Sequence, residues 1–282
     1  TVLYAELTRW DGTAVAQVKV PIISGRAHGS VTIPGDLLSG NYYLRSYTRW
    51  LRNYGPGAYT YLPLKIINPA SAEIDPGPQA GSGQTLQFRE SGSVGEYTIQ
   101  PDGLGEVYGV KEKVECFFPG DLSSTGGHYA VSVIPLGISM GTGTRVVSAS
   151  TVDQAADTIE YYPETDGISL TARLVDRETK EAVTGMKVAL SSFTNSFYYG
   201  TATSDERGVV CFNLPYYHGK YEFYMVNEGN GSEDVDVLIS NDFCRLPVRL
   251  PYIPFELDED ERAVAEKMLL NAQIGARFRL NM

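Results

Sequence analysis

The stretch Asn41-Tyr-Tyr-Leu-Arg-Ser-Tyr-Thr-Arg-Trp50 decides the fold class of this chain. In an extended strand, successive side chains point to opposite faces. One face of this stretch carries Tyr43, Arg45, Tyr47 and Arg49, and the other carries Tyr42, Leu44, Ser46 and Thr48. Aromatic residues in such a period-two pattern predict a β-strand. We therefore expect a β-rich protein built around this strand.

Short alternating segments flank this strand on both sides. Residues 4–10 and 15–20 alternate and are joined by Asp11-Gly12, a pair typical of a β-hairpin turn. Residues 29–34 and 59–67 predict two further strands. Short strands at such close spacing indicate a β-sandwich at 1–68.

The remaining chain continues the same pattern. A run rich in Pro, Gly and Ser at 69–84 predicts a linker. Alternating segments predict a second sandwich at 85–164 and a third at 165–250, whose clearest strands are 86–89, 97–100, 113–118, 128–134, 167–175, 187–191, 209–214, 221–226 and 235–239. Residues 257–274 have an acidic first turn and predict one helix within a C-terminal segment at 251–282. The predicted fold class is therefore all-β, with tandem immunoglobulin-like β-sandwiches and a short C-terminal helix.

Charge narrows the classes of partner. The chain has 23 Lys and Arg against 34 Asp and Glu, a net charge of −11. Phosphate backbones and anionic membrane surfaces repel such a chain, so we expect no nucleic acid partner. No run approaches the roughly 18 apolar residues of a membrane-spanning helix. No signal peptide is visible at Thr1, so we expect the sequence to begin at a processed terminus or an artificial boundary.

The cysteines form no CxxC pair, and we predict buried structural thiols at Cys116, Cys211 and Cys244 because each has apolar neighbours. A Cys211–Cys244 bridge is an alternative in an oxidising compartment, although the odd count argues against a disulfide framework.

Residue types that carry catalysis are scattered. The histidines His28, His128 and His218 lack the spacing of zinc ligands, and no GxSxG motif is present. Asp234 and Asp236 follow a loop rich in oxygen donors that calcium could use, but a solvated hairpin explains them better. We therefore expect a protein that is not an enzyme, with no catalytic residue, no metal and no cofactor.

The strongest candidate for binding is the strand quoted above and its continuation, with Arg45, Tyr47, Arg49, Trp50, Arg52 and Tyr54. Arginine and aromatic side chains are enriched at protein interfaces and carry much of their binding energy. The competing interpretation is a half-buried strand whose long side chains cover one face of a sandwich. We favour this second interpretation.

The same segment resembles the macroglobulin-like domains of large Bacteroidetes envelope proteins. In that family a GxYxLRAYTxWMxNxG strand follows an LPxxLxSG turn, and here residues 41–54 follow the turn at 33–40. Residues 108–114 and 128–133 are similar to the opening and the next strand of a second such domain. Residues 162–168 resemble the junction into a third domain, and Ser204-Asp-Glu-Arg-Gly208 is similar to the TDExG turn of carboxypeptidase-regulatory-like, transthyretin-type domains.

The resemblance implies a location and a role. Such segments often precede a TonB-receptor-type plug domain, which this sequence does not contain, so we expect an exported, outer-membrane-associated protein in the periplasm or at the cell surface. The Cys-Gly-Glu-Gln motif that forms the macroglobulin thioester is missing. The implied function is structural or binding: to position or recruit envelope proteins, or a glycan or peptide ligand, in TonB-linked nutrient uptake.

Two alternatives stay open. A carbohydrate-binding or adhesin module would need an exposed planar cluster such as Trp10, Trp50, Tyr54 and Tyr59. An enzyme would need a pocket that gathers titratable groups from several segments.

Overall fold

The computed structural model describes residues 1–78, 89–90, 113–115, 147–148, 159–193, 197–216, 221–228 and 234–279. The strands are β1 (Val2–Thr8), β2 (Ala14–Ile23), β3 (Arg26–Ala27), β4 (Gly40–Thr48), β5 (Thr60–Ile66), β6 (Arg89–Glu90), β7 (Val147–Ser148), β8 (Ile168–Asp176), β9 (Lys187–Ser192), β10 (Tyr198–Thr203), β11 (Val209–Leu214), β12 (Tyr224–Asn227) and β13 (Val235–Ile239). Helix α1 spans Glu259–Arg279. The described part is thus rich in antiparallel β-sheet and ends in a helix, as predicted.

Contacts divide the chain into two compact units, residues 1–90 with 146–256 and residues 91–145 with 257–282. The strands predicted at 97–100 and 128–134, like most of the predicted sandwich at 85–164, lie outside the described residues. The prediction for that part of the chain therefore stays a prediction. Within the described residues, no helix has both the length and the apolar composition needed to cross a membrane.

The first sheet has the strand order β3-β2-β1-β4-β5-β7-β6. The β1–β2 hairpin turns at Asp11-Gly12, as predicted, with Gly12 at a φ of +83° that favours glycine. The Asp11 Oδ1 accepts a hydrogen bond from the Thr13 amide at 3.0 Å. Since β1 lies between β2 and β4, most of its side chains are buried.

Several of the predicted strand assignments differ from the structure. Within the strand predicted at 113–118, the described residues 113–115 form no strand, and the strand predicted at 221–226 begins only at Tyr224. Residues 29–34 form no strand, and most of their side chains, including Ile33, are exposed. The strand predicted through Trp50 ends at Thr48, and Arg49–Tyr54 form a 3-10 helix. This helix reverses the chain towards the antiparallel β5, and it ends where the Gly55 amide donates to the Arg52 carbonyl.

Two three-stranded sheets follow, with the orders β10-β9-β12 and β11-β8-β13. They share one apolar core, which contains Ala172, Leu174, Val188, Leu190, Val210, Phe212 and Leu214. The turn predicted at 204–208 is present, and Asp205 Oδ1 accepts hydrogen bonds from the Arg207 amide in the turn and from the Val209 amide at the start of β11.

The described cysteines are both free, so the alternative Cys211–Cys244 bridge is not formed. Cys244 is buried, as predicted, but the prediction was wrong for Cys211, which is exposed. On β11 the alternate residues Val210 and Phe212 face the core, which places Cys211 on the outer side.

After β13 the chain passes over the first sheet. We call residues 242–256 the crossing segment. Its side chains Cys244, Val248 and Leu250 complete an apolar core with residues of β1, β4 and β5 and with Tyr59. The buried face of the first sheet is therefore covered by chain that lies about 200 residues further along the sequence.

Candidate functional site

A row of polar side chains crosses the first sheet, from the exposed Gln17 to the buried Glu6, Arg45 and Tyr61. The strand register places Gln17 opposite Glu6, Glu6 opposite Arg45, and Arg45 opposite Tyr61. Arg45 Nη2 lies 2.6 Å from Glu6 Oε2, and the two side chains are 2% and 0% exposed. Gln17 Nε2 donates to the other Glu6 oxygen at 2.6 Å. The Glu6 carboxylate therefore has a cation on one oxygen and an amide on the other, which offsets the cost of burying it.

A second row, of aromatic rings, runs beside the first. Tyr4 stacks on Tyr47 at 5.5 Å between ring centroids, and Tyr47 stacks on Tyr59 at 4.1 Å. Lys19 Nζ lies 5.2 Å from the Tyr4 ring centroid. Phe243 of the crossing segment meets Tyr4 edge to face at 5.3 Å. Stacked and edge-to-face rings add to the stabilisation from apolar burial.

Burial changes the acidity of these tyrosines. Desolvation raises the pKa of Tyr43 to about 12. It also raises the pKa values of Tyr4, Tyr47, Tyr59 and Tyr61, and for Tyr4 the nearby Glu164 carboxylate adds to the effect. All five hydroxyls stay neutral in the folded protein at neutral pH.

These pKa shifts predict alkaline unfolding. A phenol whose pKa is raised in the fold contributes stability that is complete below the unfolded pKa near 10 and is lost as pH rises through the folded value. We expect stability to fall from about pH 10 upward, with the buried tyrosines ionising only as the fold opens. Tyrosinate absorbance followed against pH alongside far-ultraviolet circular dichroism checks this. Full ionisation of all 19 tyrosines with an unchanged fold would contradict it.

The crossing segment is held to both rows through its backbone. The Cys244 amide donates to the Tyr47 hydroxyl at 2.7 Å, and Arg45 Nη2 donates to the Cys244 carbonyl at 3.4 Å. The Tyr43 hydroxyl donates to the Pro251 carbonyl at 2.6 Å. These three contacts use backbone groups of the crossing segment, and they add to the packing of its side chains in the core.

A second peptide segment, residues 159–164, lies along the 3-10 helix. Asn53 accepts hydrogen bonds from the Glu160 and Tyr161 amides and donates one to the Tyr161 carbonyl. Arg49 Nη1 lies 4.0 Å from Glu164, whose other oxygen accepts the Tyr4 hydroxyl at 2.9 Å. Glu164 is buried, so this contact is part of the interior.

The six candidate binding residues thus lie in different environments. Arg45 and Tyr47 are buried, and Arg49 faces Glu164. Trp50 and Tyr54 are half-buried and meet each other edge to face at 6.3 Å. Arg52 donates to the Asp242 carbonyl at 2.7 Å, and its guanidinium carbon lies 3.9 Å from the Tyr161 ring centroid. Four of the six, Arg45, Tyr47, Arg49 and Arg52, contact other segments of the same chain.

The exposed planar cluster required by the carbohydrate alternative is not formed. Tyr59 is fully buried, and Trp50 and Tyr54 are half-buried. Trp10 meets Tyr252 edge to face at 6.3 Å. Trp10, Trp50 and Tyr54 each meet another ring of the protein, and the buried Tyr59 is no part of an exposed surface.

A groove opens at the edge of this region, with a volume of about 510 Å³. Its polar lining is Arg52, Tyr161, Arg173, Ser240, Asn241 and Arg245. Leu238, Ile239 and Leu246 supply exposed apolar surface, at 52%, 67% and 54% exposure. Only Arg52 among these residues belongs to the candidates from the sequence. The others come from three separate segments and carry no shared motif that could have pointed to them.

The aspartates weighed as calcium ligands are engaged with cations. Asp236 accepts hydrogen bonds from Arg177 Nε at 3.0 Å and Lys180 Nζ at 2.7 Å, and both contacts lower its pKa. Asp234 lies 3.6 Å from Arg177 Nη1. Across the described residues, no three His, Cys, Asp or Glu side chains gather into a group that could hold a metal ion.

Comparison of the chain with protein-family models, curated proteins and solved structures finds no significant match.

Proposed function

We propose that this chain is a non-enzymatic scaffold and binding segment of a cell-envelope protein, which holds its β-rich parts in a fixed arrangement and recruits partners. One observation carries the proposal. Arg45, Tyr47 and Arg52 are of residue types that are enriched at protein interfaces, but here they bind the crossing segment and residues 159–164 of the same chain. These side chains hold distant segments of the chain together, as expected of a scaffold.

The internal contacts would resist bending. Polar contacts join the first sheet to distant chain at Cys244, Pro251 and Glu164, and each buries at least one partner. A buried polar group that loses its partner costs about 1–3 kcal/mol, so opening one contact is unfavourable and opening several together more so. A rigid support of this kind suits a protein that presents partners at a set spacing.

The types of the individual domains and the cellular location of the protein are part of the same proposal. We infer that residues 1–68 are a macroglobulin-like sandwich, that 165–250 are a carboxypeptidase-regulatory-like one, and that the protein is exported to the outer membrane of a Bacteroidetes cell. The supporting observations are the motif resemblances at 33–54, 162–168 and 204–208 and the antiparallel sheets in which the described motif residues lie.

Cell fractionation tests the proposed location in the cell envelope. We expect an antibody against this chain to detect the protein in the outer-membrane or periplasmic fraction of its source cells, with marker proteins for each compartment as controls. Protease added to intact cells then separates surface exposure from a periplasmic location. Recovery with the cytoplasmic marker would overturn the envelope assignment.

A further inference from the structure

We propose that the groove beside β13 binds an extended acidic peptide, which adds as a strand to the outer edge of β13. This inference deepens the proposed binding function and rests on it. It names the class of partner and the surface that the partner contacts.

Charge is the first argument. Among the described residues, the groove lining contains three arginines, Arg52, Arg173 and Arg245, and no Asp or Glu. Within the described part of the chain, none of the three forms an ion pair with a carboxylate. Arg173 Nε bonds the Arg207 carbonyl at 3.1 Å, and Arg52 bonds the Asp242 carbonyl and covers Tyr161. A concentration of uncompensated positive charge on a chain of net charge −11 favours an anionic ligand.

The free strand edge is the second argument. β13 lies at one end of the order β11-β8-β13, and among the described residues no strand pairs with its outer edge. Proteins usually protect such an edge with charged side chains, proline or a bulge. β13 has one charged side chain, the ion-paired Asp236, and its following residues Val237, Leu238 and Ile239 are apolar and 41–67% exposed. An exposed apolar edge is suited to strand addition, in which main-chain hydrogen bonds supply affinity.

The groove arginines and the outer edge of β13 lie side by side, and their arrangement predicts the sequence pattern of the partner peptide. Leu238 is the register partner of Arg173 on β8, so both belong to the outer face, while Ile239 belongs to the opposite face. A strand added beside β13 would place alternate side chains next to the arginines and the others beside Ile239. The fitting peptide therefore alternates acidic and apolar residues. An anionic glycan would use the arginines but would leave the backbone edge unpaired.

A synthetic probe tests the proposal. Fluorescence anisotropy measures binding of a short fluorescein-labelled peptide of alternating glutamate and valine to the full chain. We expect binding that weakens with added salt. A peptide with glutamine in place of glutamate should bind about tenfold or more weakly, because charge-assisted hydrogen bonds are lost. A peptide methylated at alternate backbone nitrogens should also bind about tenfold or more weakly, because main-chain hydrogen bonds are lost.

Matched variants of the protein locate the site. We expect Arg173→Gln and Arg245→Gln each to weaken binding about tenfold. Arg262→Gln, at an exposed arginine of α1 outside the groove lining, leaves binding unchanged. Arg52 is left intact because it also holds the crossing segment. Circular dichroism confirms that each variant is folded.

Three results would overturn the proposal. If the N-methylated peptide bound as tightly as the unmethylated one, the groove would recognise charge alone and no strand would be added. Binding of dextran sulfate without binding of the peptide would assign the groove to an anionic glycan. No binding of either probe would leave the groove without this role. Each result is independent of the fractionation outcome, so failure of this inference and failure of the envelope proposal are distinguishable.

Discussion

Replacing Arg45 by methionine is expected to lower the free energy of unfolding by about 3–5 kcal/mol, because it leaves the Glu6 carboxylate buried without a cation. Glu6 is fully buried, and Arg45 is the cation that bonds it, while Gln17 donates a neutral hydrogen bond to its other oxygen. Urea unfolding followed by near-ultraviolet circular dichroism reports on this region, since the stacked tyrosines lie beside the pair.

The double variant Arg45→Met with Glu6→Leu separates pair breaking from lost packing. Removing both charges takes away the uncompensated carboxylate, so we expect the double variant to be more stable than Arg45→Met alone. Arg177→Met is the matched control, because Arg177 is exposed and its partner Asp236 keeps Lys180. Its unfolding midpoint should hardly move. A loss at Arg45 no larger than that of the control would contradict a structural role for the buried pair.

The second large effect concerns the contact between the β1–β2 hairpin and the crossing segment. A Cβ at Gly12 would lie 2.6 Å from the Val248 carbonyl oxygen and 2.8 Å from Val248 Cγ1, and φ is +83°. Gly12→Ala must therefore displace backbone, and we expect it to cost about 2–3 kcal/mol. Thermal and urea unfolding measure this loss.

Gly25→Ala is a close control for this variant. Gly25 has nearly the same φ, +78°, but a Cβ there would meet nothing within 4 Å. Its cost is therefore the conformational strain alone, about 1 kcal/mol. Amide hydrogen exchange adds a local measure: in Gly12→Ala, exchange should become faster at Leu250, whose amide donates to the Trp10 carbonyl, and at Cys244. Equal effects of the two alanines would show that the crossing segment does not press on the hairpin.

Much of the secondary structure could be predicted from local patterns. The alternation in 41–48 and the Asp11-Gly12 turn predicted β4 and the first hairpin, because strand faces and tight turns depend on neighbouring residues. Cys211 shows the limit of such reasoning. Its apolar neighbours suggested burial, but the alternation of β11 around Val210 and Phe212 decides its exposure.

The candidate site was harder to predict. The sequence marked the arginine and aromatic residues at 45–54, but their types are equally suited to a partner and to a packed interior. Arg173 and Arg245 carried no signal, because an isolated exposed arginine is common on any surface. They indicate a binding site only because the fold brings them to one groove with Arg52.

By itself, then, the sequence determined the β-rich class, the two faces of the central strand, the first hairpin turn and the negative charge, since each depends on residues close together in the chain or on simple totals. The tertiary structure alone decided what covers that central strand. The crossing segment lies about 200 residues further along the chain and binds through buried side chains and through backbone groups. Every residue carries such backbone groups, so no local sequence pattern shows which distant segments they will join. The same long-range folding brings the groove arginines to the free edge of β13.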